Sequence, residues 1–344
     1  MIAEKRISLL SVFEWSKFHI LWLTIWGISA VAFNKFSGWE WLAMPWLPLS
    51  IVGTAVAFYV GFKNNSAYDR MWEARKIWGA ITNDSRTWGI SIKAFVTDQF
   101  TTEKYDEQTL HAIRKKLIIN HIAWMYQLRR QLLVVANWEH ANQGGHYAKI
   151  AERYRENGIG QFEEESKETE LSKFVSPDEE KQLLQFSNPA VQLIDKQSTL
   201  LQQLRRQDII EDFRHIELQN LLRSFLEHQG KAERIKKYPL PRQYANMSFS
   251  FIGIFIFLLP FGLVGEMSKA GEWGIWITIP FTVLIGWIYV MMELVGDYSE
   301  NPFQGMGNDT PMLTICRNIE IDLLEMMGEE NIPKPIAIKN GIQI

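Results

Sequence analysis

The chain has 344 residues, a formal net charge of −3 and a single cysteine. That balance argues against a nucleic-acid binder, which would carry a strong basic excess, and one cysteine excludes an intrachain disulfide framework. The mean hydropathy of −0.12 averages apolar ends with a charged middle, and many of the 14 tryptophans sit beside the apolar stretches, as interfacial anchors do.

Residues 1–15 carry too many charges for a cleavable signal and read as an amphipathic segment on the inner surface of a membrane. Residues 18–34 form a first span at the short end of the required length. A loop over 35–40 leads into a second span, 41–62, with Pro45 and Pro48 near its start, where a helix tolerates proline. From 63 to 241 nothing resembles a span. Residues 106–135 show helical periodicity, with Ile113, Leu117, His121, Trp124 and Leu128 on one side, and His121 reads as a core histidine. Residues 137–173 are polar and acid-rich and read as a surface excursion. Ser176–Pro177 and Asn188–Pro189 are helix starts, the second opening a helical stretch to about Gln229 that Gly230 would cap. Residues 247–265 and 272–295 form the third and fourth spans, each containing a proline.

The predicted organisation is therefore an amphipathic segment with two spans (1–62), a helical domain (63–241), two further spans (242–297) and a C-terminal segment (298–344). The loops at 35–40 and 266–272 hold only Lys35 and Lys269 as basic residues. Lys5, Arg6, Lys17, Lys63, Arg70, Arg75, Lys76, Arg234, Lys236, Lys237 and Arg242 lie on the opposite side, which puts both termini and the helical domain in the cytoplasm.

The second span carries the informative pattern. At 100° per residue, Thr54, Phe58 and Phe62 share one face, and Asn65 and Asp69 continue it beyond membrane depth. Gly53, Ala55, Ala57 and Gly61 lie between them. Two readings stand: a membrane-packing helix with small-residue contacts, or a pore wall with an apolar constriction opening onto polar residues. A pore wall from one such stripe per chain needs a cyclic oligomer to close it.

The run NNSAYDRMWEARKIWGAITNDSRTWG (64–89), the F-x-x-G-F at Phe58–Phe62, the segment GKAERIKKYPLPRQYA (230–245) and ENPFQGMGNDTPMLTICRNIEIDLL (300–324) follow one another in a fixed order. Together they resemble the bacterial branch of the bestrophin family over most of the chain, more weakly between 137 and 186. The resemblance implies an all-α membrane protein with four spans and a helical cytoplasmic domain, pentameric around a central pore. It implies a pore neck at Thr54, Phe58 and Phe62, where Thr54 replaces a usual aliphatic residue, and a polar pore face at Asn65 and Asp69 below it. A second, cytoplasmic constriction would fall at Ala190, after Asn188–Pro189. Arg70, Trp72, Glu73 and Arg75, with Trp78, Asn83 and Arg86, would form structural packing below the membrane rather than a catalytic site.

Animal members follow their N-P-F with a run of acids that holds calcium. Here Asn301 and Asp309 remain, but QGMGN between them has no carboxylate, so no calcium site and no cofactor are expected. Asn301 and Asp309 are expected to cap turns instead. Glu293 and Asp297 read either as a cation-attracting ring or as the wet end of a helix. The expected partners are four further copies of the chain, membrane lipid and small monovalent ions, with no nucleic acid. The phenylalanine neck inclines the reading toward anions, since ring edges carry partial positive charge; ring faces would favour sodium. A membrane-anchored scaffold docking a partner on acid-rich 156–180 is the rival. A membrane enzyme has no nucleophile–base pair, metal spacing or phosphate loop to support it.

Overall fold

A computed structural model describes residues 1, 3, 9–39, 43–102, 104–142, 171–306, 308–338, 341 and 343. Among them are nine α-helices and no strand: α1 (Leu9–Ser37), α2 (Trp46–Phe95), α3 (Glu107–Leu132), α4 (Pro177–Leu183), α5 (Pro189–Arg206), α6 (Asp212–Lys237), α7 (Arg242–Met267), α8 (Glu272–Asp297) and α9 (Met312–Met327). They divide into two compact units. One comprises Glu4–Arg70 and Pro239–Asn301; the other comprises Met1–Ala3, Met71–Tyr238 and Pro302–Ile344.

The first unit holds the four helices long and apolar enough to cross a membrane: α1, α2, α7 and α8. In α1, α7 and α8 length follows from long apolar sequence, with Pro260 and Pro280 accommodated inside α7 and α8, whereas α2 continues beyond its apolar part, and only its residues up to Arg70 belong to this unit. Leu23, Val31, Val56, Val60, Leu259 and Val264 are buried between them. Leu21, Ile25, Ile51, Ile254 and Phe281 face outward, the arrangement a lipid solvent requires. Small residues set the closest approaches: a Cβ at Gly53 would lie 2.8 Å from the Phe255 ring, and one at Gly286 would lie 2.7 Å from Leu23. Trp26 stacks on Phe257 with ring centroids 5.0 Å apart, and its indole donates to the Ile256 carbonyl at 3.2 Å. Part of the amphipathic segment expected at 1–15 lies outside the described residues; its described part, 9–15, forms the first turns of α1.

The second unit packs α3, α5, α6, α9 and the C-terminal part of α2 around one core. Trp78, Trp88, Trp124, Phe225, Leu117 and Ile122 are fully buried there. His121 lies among Phe225, Trp124 and Trp88, with centroids 4.4, 5.3 and 6.0 Å away. Burial drives its pKa down to about 3, and one ring nitrogen meets the Ser85 hydroxyl at 2.9 Å. Ser176 caps α4, accepting from the Glu179 amide, and Asn188 caps α5, accepting from the Val191 amide, both at 3.3 Å.

Two expectations are corrected here. The helical stretch from Pro189 does not run on to Gln229 but breaks over 207–211. Asp208 takes φ +54°, and the turn buries Ile209 and Ile210 completely. Gly230 caps nothing: it lies inside α6, which runs on to Lys237 and buries Ala232 and Ile235 beyond it. The helix ends at Tyr238 because Pro239 and Pro241 cannot continue it. Most of the acid-rich excursion, 143–170, lies outside the described residues.

Candidate ion-conduction face

The helix α2 has two unlike faces between Gly53 and Arg70. Gly53, Val56, Val60, Lys63 and Ala67 are buried, whereas Thr54, Phe58, Phe62, Asn65 and Asp69 are exposed. Phe58 is 66% and Phe62 64% exposed, high values for large apolar rings. One turn of about 6 Å separates the two rings, and about 22 Å of helix separates Thr54 from Asp69. The Thr54 hydroxyl donates to the Ser50 carbonyl at 2.9 Å, so its hydrogen is committed to the helix backbone. Among the described residues Asp69 has no hydrogen-bond or ion-pair partner, so its carboxylate remains available to solvent or ions.

The buried face is held by polar ties at several levels. The Tyr289 hydroxyl donates to the Gly53 carbonyl at 2.9 Å, and the Tyr59 hydroxyl donates to the Tyr244 carbonyl at 3.1 Å. The Lys63 ammonium meets Glu293 Oε1 at 2.5 Å, and the Ser248 hydroxyl donates to Oε2 of the same carboxylate. Asn64 Nδ2 donates to the Met292 carbonyl at 2.9 Å. Glu293 is thus neither a lumenal ring nor the wet end of a helix. Charge at a helix end suggested both readings, but at 7% exposure its carboxylate is enclosed by a cation and a hydroxyl.

The motif after the second span distributes unevenly. Arg70 Nε donates to the Glu300 carbonyl at 2.8 Å, and the Glu300 carboxylate also meets Arg242 at 3.4 Å. Trp78 is fully buried, and Arg86 pairs with Asp322 at 2.7 Å. Glu73 pairs with Lys76 at 2.7 Å on the surface, while Trp72, Arg75 and Asn83 are exposed. Ala190 has no accessible surface, and its amide donates to Gln131 Oε1 at 3.3 Å. A side chain wholly enclosed within its own protomer lines no opening, so the second constriction does not fall on Ala190.

In the N-P-F segment the Asp309 carboxylate accepts from the amides of Phe303, Gly305 and Thr310 at 3.0, 2.9 and 2.7 Å. Burial raises its pKa, and those three amides act in the opposite direction. They hold a turn in which Phe303 takes φ +69° and Gly305 φ +78°. Asn301 Nδ2 donates to Glu300 Oε1 at 3.3 Å. Its oxygens committed to backbone, Asp309 is a turn-closing residue, and no group of three or more histidine, cysteine or acidic side chains with metal-binding geometry occurs among the described residues.

Lys63, Ser248 and Glu300 were not legible as site residues. A signal for Lys63 did exist: it falls about 140° from Phe58, on the side of Val56 and Val60, where a lysine has to find a buried partner.

The family model for the bacterial/fungal bestrophin proteins matches residues 10–325. A voltage-dependent anion channel-forming protein of Escherichia coli, YneE, is 27% identical over 297 residues, covering 86% of this chain and 82% of that protein. A protein of the same description from Mesorhizobium japonicum is 26% identical over 282 residues, covering 82% and 75%. The crystal structure of a bacterial bestrophin homologue from Klebsiella pneumoniae superposes with a TM-score of 0.71 at 21% identity, covering 91% of this chain and 99% of that one. The helical order, the four apolar helices and a family match spanning nearly the whole sequence lead to one assignment: this chain belongs to the bacterial/fungal bestrophin family.

Proposed function

We propose that the chain is the subunit of a homopentameric ion channel that passes small monovalent ions passively, anions being favoured. Its neck is formed by Thr54, Phe58 and Phe62, with Asn65 and Asp69 on the wall below. The carrying observation is the contrast across α2: two phenylalanine rings stand on an exposed face whose opposite side is packed and tied. Five copies around an axis make two stacked apolar collars, which block by dewetting because an ion passing them sheds water without polar replacement. The description of the relatives as anion channel-forming supports chloride, as do ring edges, which present partial positive charge to the lumen. The channel lies in a bacterial-type inner membrane with both termini, residues 63–241 and residues 298–344 on the cytoplasmic side, in line with the distribution of Lys and Arg.

One observation favours a second reading, a sodium-type cation channel: five unpartnered Asp69 carboxylates beneath the neck would attract cations and repel anions. Purified protein in a planar bilayer under an asymmetric NaCl gradient tests both. Conductance with a chloride-directed reversal potential supports the first reading, a sodium-directed potential supports the second, and a silent bilayer removes the channel.

A further inference from the structure

We propose that the buried Lys63–Glu293 ion pair, braced by Ser248, positions the Phe62 collar and thereby sets the width of the neck; this rests on the neck reading above. Lys63 follows Phe62 directly in α2, and its side chain is 1% exposed. Its ammonium reaches Glu293 on α8, whose second oxygen takes the Ser248 hydroxyl of α7. Three helices therefore meet at one carboxylate, within one residue of the inner collar.

A buried ion pair is a weak source of stability, because apolar side chains of the same volume fill such a site about as well. What it supplies is direction. A methyl group slides along an apolar neighbour at little cost, whereas a buried ammonium has few places to go. Within the rigid turns of α2, Lys63 sits 100° from Phe62, so rotation or axial slip of the helix that moves the ring toward or away from the lumen also pulls the ammonium off Glu293. The adjacent residue repeats the device: Asn64 donates to the Met292 carbonyl, and its side chain occupies the space over Gly296 that a Cβ would fill. On the opposite side of the helix, Phe58 and Phe62 have no comparable restraint among the described residues, and their position is inherited from the buried face.

The test combines conduction with a distance. Asn65→Cys, exposed and one turn below Phe62, carries a spin label; the native Cys316 is buried, and burial pushes its thiol up to about 12, so it competes little for the reagent. Glu293→Gln and Lys63→Met are each combined with the label in reconstituted, full-length protein. The expected result is an intact oligomer by size exclusion, a broadened or shifted inter-subunit distance distribution and a single-channel conductance altered about twofold or more. The double exchange Lys63→Glu with Glu293→Lys should return both readouts toward the parent protein. Unchanged distances and conductance in either single variant with intact oligomers overturn the proposal. Should both single variants fail to assemble, Ser248→Ala, which removes one hydrogen bond and no charge, takes their place under the same criterion. Failure of the neck reading is separable: Phe62→Ala would then leave conductance unaltered while the label distances still respond to Glu293→Gln.

Discussion

Phe225 and Phe62 are the same side chain on long helices, in opposite surroundings. Phe225 has no exposed surface and packs against His121, Trp124 and Trp88. Phe62 is 64% exposed, and the residue that follows it is a buried lysine. In a water-soluble monomer the second arrangement would be inside out. In a membrane oligomer it is coherent: the exposed face awaits lumen, lipid or another copy, while the buried face must be held by polar ties because apolar contact alone discriminates poorly between helix and lipid. Burial thus says where a fold is finished, and exposure of rings says where it is completed by something else.

The largest effect that would sharpen this contrast is on stability. Phe225→Ala should cost about 3–5 kcal/mol, because it leaves a cavity in a closed core. Thermal melts of the detergent-solubilised protein should show a clear drop in Tm, with loss of assembly. Phe58→Ala and Phe62→Ala should leave the melt within about 0.5 kcal/mol of the parent, as exposed substitutions do. A melt for Phe62→Ala as damaged as that for Phe225→Ala would show that the ring is packed in the assembly and would break the comparison.

Next in size is the pH dependence of the Phe225 neighbourhood. His121 has its pKa lowered by burial from 6.5 to about 3, so the folded state resists the proton that the unfolded state accepts. The neutral form's contribution is complete above pH 6.5. It is lost as pH falls toward 3, at up to about 1.4 kcal/mol per pH unit. Melts at pH 7 and pH 5 should differ less for His121→Met than for the parent; an equal difference would assign the acid sensitivity to other groups.

Conduction comes third. The Phe58→Ala, Phe62→Ala double variant should raise single-channel conductance or open probability about two- to fivefold, a barrier change of about 0.4–1 kcal/mol, with each single variant smaller. Records and size-exclusion profiles from the same preparations are needed, since intact oligomers with unaltered conductance would move the neck off this face. The smallest effect is expected at Asp69, where Asp69→Asn removes an exposed charge screened by salt. It should raise the anion-to-cation permeability ratio by about twofold or less, read as a shift in reversal potential that shrinks as ionic strength rises.

The spans were legible because hydropathy is a local property, and α2 could be followed past Phe62 because no proline interrupts it. The membrane-proximal and N-P-F motifs indicated the family for the same reason. What escaped was set at a distance. The partner of Lys63 lies 230 residues away, so Glu293 read as a helix-end charge when it is a buried ligand for an ammonium. The break after Gln207 escaped because it uses an aspartate in the left-handed region and two buried isoleucines, with neither glycine nor proline to announce it. Ala190 followed the right turn signal, since Asn188 does cap α5, but a cap gives the start of a helix and not the direction of its first side chains.

The contact of Asn64 with Gly296 bears on how this sequence can drift. A methyl group at 296 would overlap the Asn64 side-chain oxygen, so alanine there needs the Asn64 side chain to swing off Met292 or position 64 to become smaller. Shrinking position 64 first passes through an intermediate that has lost both the amide tie to Met292 and its filler over the glycine. Positions 64 and 296 should therefore change together across descendants of this chain, with glycine held wherever asparagine is held. A library randomising one alone would recover far fewer functional clones than one randomising the pair.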